Sequence, residues 1–134
     1  MRHETYTTLI RETLADALRR DPSVFLMGED IGAYGGAFGV TRGLLDEFGP
    51  ERVRNTPISE AALTGMAIGA ALAGLRPVIE IMFMDFLTLA LDQLINQAAK
   101  LRYLHQGRQT CPFVLRTPPG GRLSPPVTGA RSGH

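Results

Sequence analysis

Four short segments, none long enough for a helix, read as strands and dictate what this chain can fold into: "SVFLMGED", "ERVRNTPI", "LRPVIEIMF" and "CPFVLRTP". The apolar runs within them are continuous rather than alternating, which suits strands covered on both faces. Helical patterns separate them. In "TYTTLIRETLADALRRDP" the residues Leu9, Ile10, Thr13, Leu14, Ala17 and Leu18 share one side, and Asp21-Pro22 stops the helix. "TRGLLDEFGP" predicts a short helix and "SEAALTGMAIGAALAG" a longer one. "TLALDQLINQAAKLRYLHQG" predicts a long amphipathic helix with Leu91, Leu94, Ile95, Ala98 and Leu101 inward. Strands alternating with helices indicate a single α/β domain, a parallel sheet with helices on both faces.

The remaining bulk properties exclude several function classes. A net charge of +1 gives no reason to expect nucleic acid or an anionic membrane as partner. One cysteine, Cys111, rules out an internal disulfide and suits a reducing compartment. The most apolar stretch, Ala61 to Leu75, is about 15 residues, short of the roughly 20 that span a bilayer. "MRHETYTTL" carries no apolar signal core. The expectation is a soluble, cytoplasmic protein. The end of the chain differs in kind: "TPPGGRLSPPVTGARSGH" offers almost nothing to bury and should be irregular or disordered.

Most motifs that carry chemistry are missing. "GAYGGAFG" follows a strand and precedes a helix, yet Gly32, Gly35, Gly36 and Gly39 do not make G-x-G-x-x-G, so a flexible or partner-contacting loop is the better reading. His3, His105 and His134 are dispersed and share no metal-ligand spacing with Cys111 or an acid, so no metal site is expected. Cys111 reads as a small apolar filler. No nucleophile elbow of the G-x-S-x-G type occurs.

Two features remain. Gly65, Gly69 and Ala73 recur at every fourth position beside the row Ala62, Met66, Ala70 and Gly74, a groove that lets another backbone come close. Each interior glycine costs roughly 0.8–1 kcal/mol relative to alanine, so close packing must compensate. Either the chain's own sheet or a helix of another chain fills the groove. The second feature is Glu60, a lone acid at the mouth of that helix. With Ser59 as N-cap, a first-turn carboxylate gains about 0.3–1 kcal/mol from the helix dipole. Its neighbours Ile58, Ala61, Ala62 and Leu63 are apolar or small, which predicts partial desolvation and leaves a catalytic role open beside capping.

The ordered series "GED", "GGAFGVTRGLLDEFG", "RVRNTPISEAALTGMAIGAALAGLRPVIEIMFMDF" and "DQLINQAAKLRY" resembles the β chain of the thiamine-diphosphate-dependent component of 2-oxo acid dehydrogenase complexes. Pyruvate, branched-chain and acetoin dehydrogenases share this chain type, and the residues leave the substrate among them open. The resemblance implies a transketolase-like pyrimidine-binding domain, incomplete, over residues 1–117, with 118–134 departing from the family. It implies that Glu60 is the catalytic acid, hydrogen-bonding the aminopyrimidine ring nitrogen and promoting the imino tautomer. It also implies that Ile58, Met82 and Phe86 line the pyrimidine pocket, with Phe86 stacking on the ring. Magnesium and the diphosphate are expected on a separate α chain, because the G-D-G motif that binds them is missing here. The implied assembly is an α2β2 heterotetramer that passes its acyl product to a lipoyl acyltransferase component. The family's His-Ser-Gln motif does not follow "VLRTP", so the expectation is a truncated β chain. Two other readings stand beside it: a non-catalytic interaction module keeping the interface helix, and the equivalent domain of a transketolase-like enzyme.

Overall fold

All six residues of Val24–Glu29 are buried, and they form β1, with a parallel strand on either side. The computed structural model describes residues 5–119. Within them the order is α1 (Tyr6–Arg20), β1, α2 (Leu44–Phe48), β2 (Val53–Thr56), α3 (Glu60–Leu72), β3 (Arg76–Glu80), α4 (Met84–Leu87), α5 (Ala99–Leu104) and β4 (Val114–Arg116). The sheet runs β2-β1-β3-β4, every pair parallel. The four expected strands and the α/β class are therefore observed. Of the tail expected from residue 118, Pro118 and Pro119 carry no regular structure, and the rest lies outside the described residues.

Side chains of β1 alternate between two cores. Val24 and Leu26 meet Leu14, Ala15 and Leu18 of α1, Leu44 of α2 and Val53 of β2. Phe25 and Met27 meet Leu63 and Ala67 of α3, Ile79 and Ile81 after them in the chain, and Ala90. Burying each large apolar side chain contributes about 1.5–3 kcal/mol, so both faces stabilise the same strand. Arg52 locks the strand's entry: its guanidinium donates to the carbonyls of Val24 (2.7 Å), Leu18 (2.8 Å) and Asp21 (2.9 Å), joining α1, β1 and the start of β2.

Two expectations need correction. On α1 the buried residues are Leu14, Ala15 and Leu18, while Leu9 and Thr13 face solvent. The second concerns the long helix. A 3-10 turn (Thr88–Ala90) follows α4, then Gln93–Ala98 winds as a π-helix before α5. The wider π turn shifts the phase of the apolar row away from a 3.6-residue period. Leu91 and Ile95, expected inward, are 40% and 55% exposed, and nothing from Leu91 to Leu104 is buried.

Gly28 is where the sheet tolerates no side chain. A Cβ there would lie 2.9 Å from the Glu80 carbonyl oxygen and 3.0 Å from Ile31 Cγ2. Overpacking a rigid site of this kind costs about 1–3 kcal/mol. Gly28→Ala is accordingly expected to lower the unfolding free energy by about 2 kcal/mol in urea titration, without changing helix content by circular dichroism.

Candidate functional site

Ligands in open parallel sheets sit beyond the carboxyl ends of the strands, where neighbouring connections diverge. Here β1 connects to β2 on one side while β3 connects to β4 on the other, so the divergence lies between β1 and β3. Both strands end in a glutamate, Glu29 and Glu80, which are 2% and 5% exposed. A third buried carboxylate, Glu60 at 7%, opens α3 just beyond β2. Three acids withdrawn from water at one sheet edge are costly unless each is compensated or used.

Two of the three are compensated, each differently. Glu80 forms a hydrogen-bonded ion pair with Arg116, its register partner on β4. Glu29 accepts the backbone N–H of Ser59 at 3.1 Å. Burial pushes the Glu29 carboxyl above the ordinary glutamate value; the Glu60 charge adds to this, the Ser59 N–H opposes it, and Asp30 adds a smaller push. Glu60 receives no hydrogen bond from any described residue. Ser59 occupies the N-cap position as expected, but its side chain makes no capping bond.

The glycine-rich connection after β1 is a hydrogen-bonded loop pinned by two side chains. Arg11 donates to the carbonyls of Gly39 (2.7 Å) and Val40 (3.1 Å), and the Thr41 hydroxyl to Ile31 (2.8 Å). Gly36 lies so close to the Glu80 carboxylate that an added Cβ would meet Oε1 at 3.2 Å. A cleft of about 750 Å³ lies along β2, lined by residues such as Asp30, Tyr34, Arg54 and Asn55. It is lined by none of the three buried acids.

The four residues expected to line the pyrimidine pocket all follow the carboxyl ends of strands. Ile58 and Glu60 follow β2, whereas Met82 and Phe86 follow β3, so they flank the end of β1. Ile58 is 76% exposed, Met82 and Phe86 half-buried. The Phe86 ring packs against the α3-side core and meets Phe83 edge-on at 5.9 Å, and Phe83 meets Phe38 at 6.0 Å. Cys111 is half-buried near the Ile68 carbonyl, and burial pushes its thiol up, in keeping with a filler role. Sequence reasoning missed Glu29 and Glu80. An acid ending a buried parallel strand was the available signal, in "GED" and "VIE".

A profile of the transketolase pyrimidine-binding domain matches residues 3–124. The chain belongs to that family. Its similarity to curated relatives extends over most of the chain. It is 52% identical over 115 residues to "Pyruvate dehydrogenase E1 component subunit beta-2, mitochondrial" of Oryza sativa subsp. japonica, covering 83% of this chain and 31% of the relative. It is 49% identical to "Pyruvate dehydrogenase E1 component subunit beta" of Rickettsia bellii, covering 83% and 35%. It is 44% identical over 117 residues to "2-oxoisovalerate dehydrogenase subunit beta" of Bacillus subtilis, covering 87% and 36%. The chain thus spans about a third of the length of the curated relatives it matches. No helix among the described residues is long and apolar enough to cross a membrane.

In this pyrimidine-binding domain the fold favours protonated Glu29 over the unfolded chain, where glutamate titrates near 4.5. The stability so gained is complete below that value and is lost as pH rises through the higher folded value. Glu29→Gln mimics the protonated carboxyl and keeps an acceptor for Ser59. It is expected to be more stable than the parent at neutral pH, with the difference closing below about pH 4.5, as urea unfolding across pH would show.

Proposed function

We propose that this chain is the pyrimidine-binding part of the β subunit of a 2-oxo acid dehydrogenase, with Glu60 as the acid that activates thiamine diphosphate. The observation that carries the reading is Glu60 itself, 7% exposed and without a hydrogen-bond partner among the described residues. An isolated buried carboxylate is costly, and a heteroaromatic ring nitrogen opposite it would supply the missing partner. Half-buried Met82 and Phe86 and exposed Ile58 offer apolar cover for such a ring, so the residues present fit a pyrimidine. Bound thiamine diphosphate would supply the carbanion chemistry that decarboxylates a 2-oxo acid. The chain's share is to hold a proton between a Glu60 oxygen and the ring nitrogen, and to exclude water around it. Poor solvation at Glu60 strengthens that hydrogen bond.

The partner reading rests on α3. Its buried residues beyond Glu60 are Leu63, Thr64, Ala67, Ile68 and Ala71, whereas Gly69 and Ala73 are exposed and so are not covered by the chain's own core. Gly65 faces the Gln93 side chain, while an added Cβ at Gly69 would meet nothing within 4 Å. Exposed Met66 and Leu72 extend this small-residue surface. We assign it to an α chain that carries magnesium and the diphosphate in an α2β2 assembly, the acyl product passing to a lipoyl acyltransferase component. The names of the relatives favour pyruvate or 2-oxoisovalerate as substrate. Cytoplasmic location stands as part of the proposal, although the rice relative is named as mitochondrial. The same exposed row would serve a non-catalytic interaction module, and thiamine-diphosphate-dependent turnover with an α chain separates the two.

Glu60→Gln, in the complete β polypeptide assembled with its α chain, is expected to reduce 2-oxo acid decarboxylation by at least about 100-fold, the usual scale for losing a positioned acid. Undiminished turnover, measured by carbon dioxide release, rejects the role.

A further inference from the structure

Glu60 has no partner of its own among the described residues, so its aim depends on the backbone that presents it. That backbone begins α3 without the usual local devices. In a capping box an acid three residues into the helix reaches back to the N-cap N–H. Here that third position is Ala62, which has no acceptor, and the N-cap Ser59 makes no side-chain bond. The Ser59 N–H is nevertheless satisfied, by Oε1 of Glu29 at 3.1 Å. The carboxylate missing from the helix arrives from the end of β1.

Glu29 is well placed for this. It is the last residue of β1, 2% exposed, and in register with Thr56 on β2. The residue before it, Gly28, brings β1 within contact of the Glu80 backbone on β3. The acceptor is thus anchored in the most constrained strand of the sheet, while its donor lies immediately before Glu60. We propose that Glu29 is a positioning residue for Glu60: it caps α3 from outside the helix and so sets the direction in which the Glu60 carboxylate points. This inference rests on the cofactor reading of Glu60. The charged groups near Glu29 are Glu60 on α3 and Asp30 just past the end of β1, both acids. Positioning therefore requires the acceptor oxygen and not the negative charge, and an amide can replace the carboxylate.

Three variants test this, Glu29→Gln, Glu29→Ala and Glu29→Ala combined with Glu60→Gln. Hydrogen exchange at the Ser59 amide of the full chain, read without cofactor, is expected to quicken about tenfold in Glu29→Ala and to stay within about twofold of the parent in Glu29→Gln. In the assembled component Glu29→Ala is expected to lower kcat for decarboxylation about tenfold with KM little changed, and Glu29→Gln to restore it. On the Glu60→Gln background Glu29→Ala is expected to have no further effect on kcat, because a residue acting through Glu60 has nothing left to orient. A Ser59 amide that stays protected in Glu29→Ala overturns the proposal. So does an equal loss of kcat on both backgrounds, which marks a general structural role. If Glu60→Gln alone leaves kcat intact, the cofactor reading fails instead, and Ser59 exchange by itself decides whether Glu29 holds the helix start.

Discussion

A strand with all six residues out of water must find cover on both faces and hydrogen-bond partners on both edges, and β1 obtains all four. Its alternating side chains, Val24 and Leu26 on one side and Phe25 and Met27 on the other, divide the interior into two cores. The helices are placed by that demand: α1 and α2 cover one face, α3 and the segment around Ala90 the other. Gly28 lets β3 approach, and Arg52 ties the strand's start to α1.

The same strand also carries a cost. Once β1 is central, whatever ends it is buried, and what ends it is Glu29. Sheet order places Glu80 beside it and the start of α3 opposite, so the fold concentrates carboxylates where an apolar edge would be more stable. Natural sequences break packing rules in this manner chiefly at functional sites. Only one of the three acids, Glu60, lacks a partner among the described residues. Glu80 has Arg116, and Glu29 has the Ser59 N–H.

Much of this was legible in the sequence. Strand length, apolar continuity and the Asp-Pro and Gly-Pro stops are local properties, and the four strands and α3 fell where those properties put them. Glu60 was visible because an acid before a run of small apolar residues is conspicuous. The phase of the segment from Thr88 to Leu104 was not legible. Periodicity assumes a uniform 3.6-residue turn, and the π-helical stretch Gln93–Ala98 breaks it. Nor was the purpose of the Gly65–Gly69 row, which depends on which side of α3 meets the sheet.

The sequence by itself determined the α/β class, the order of the elements and the single acid at the head of α3, because each follows from residues within one turn or strand of each other. Only the tertiary structure decided that Glu29 and Ser59, thirty positions apart, would share a hydrogen bond. That contact follows from β2 and β1 lying side by side in a given register. Register is a property of strand pairs, so no single segment encodes it.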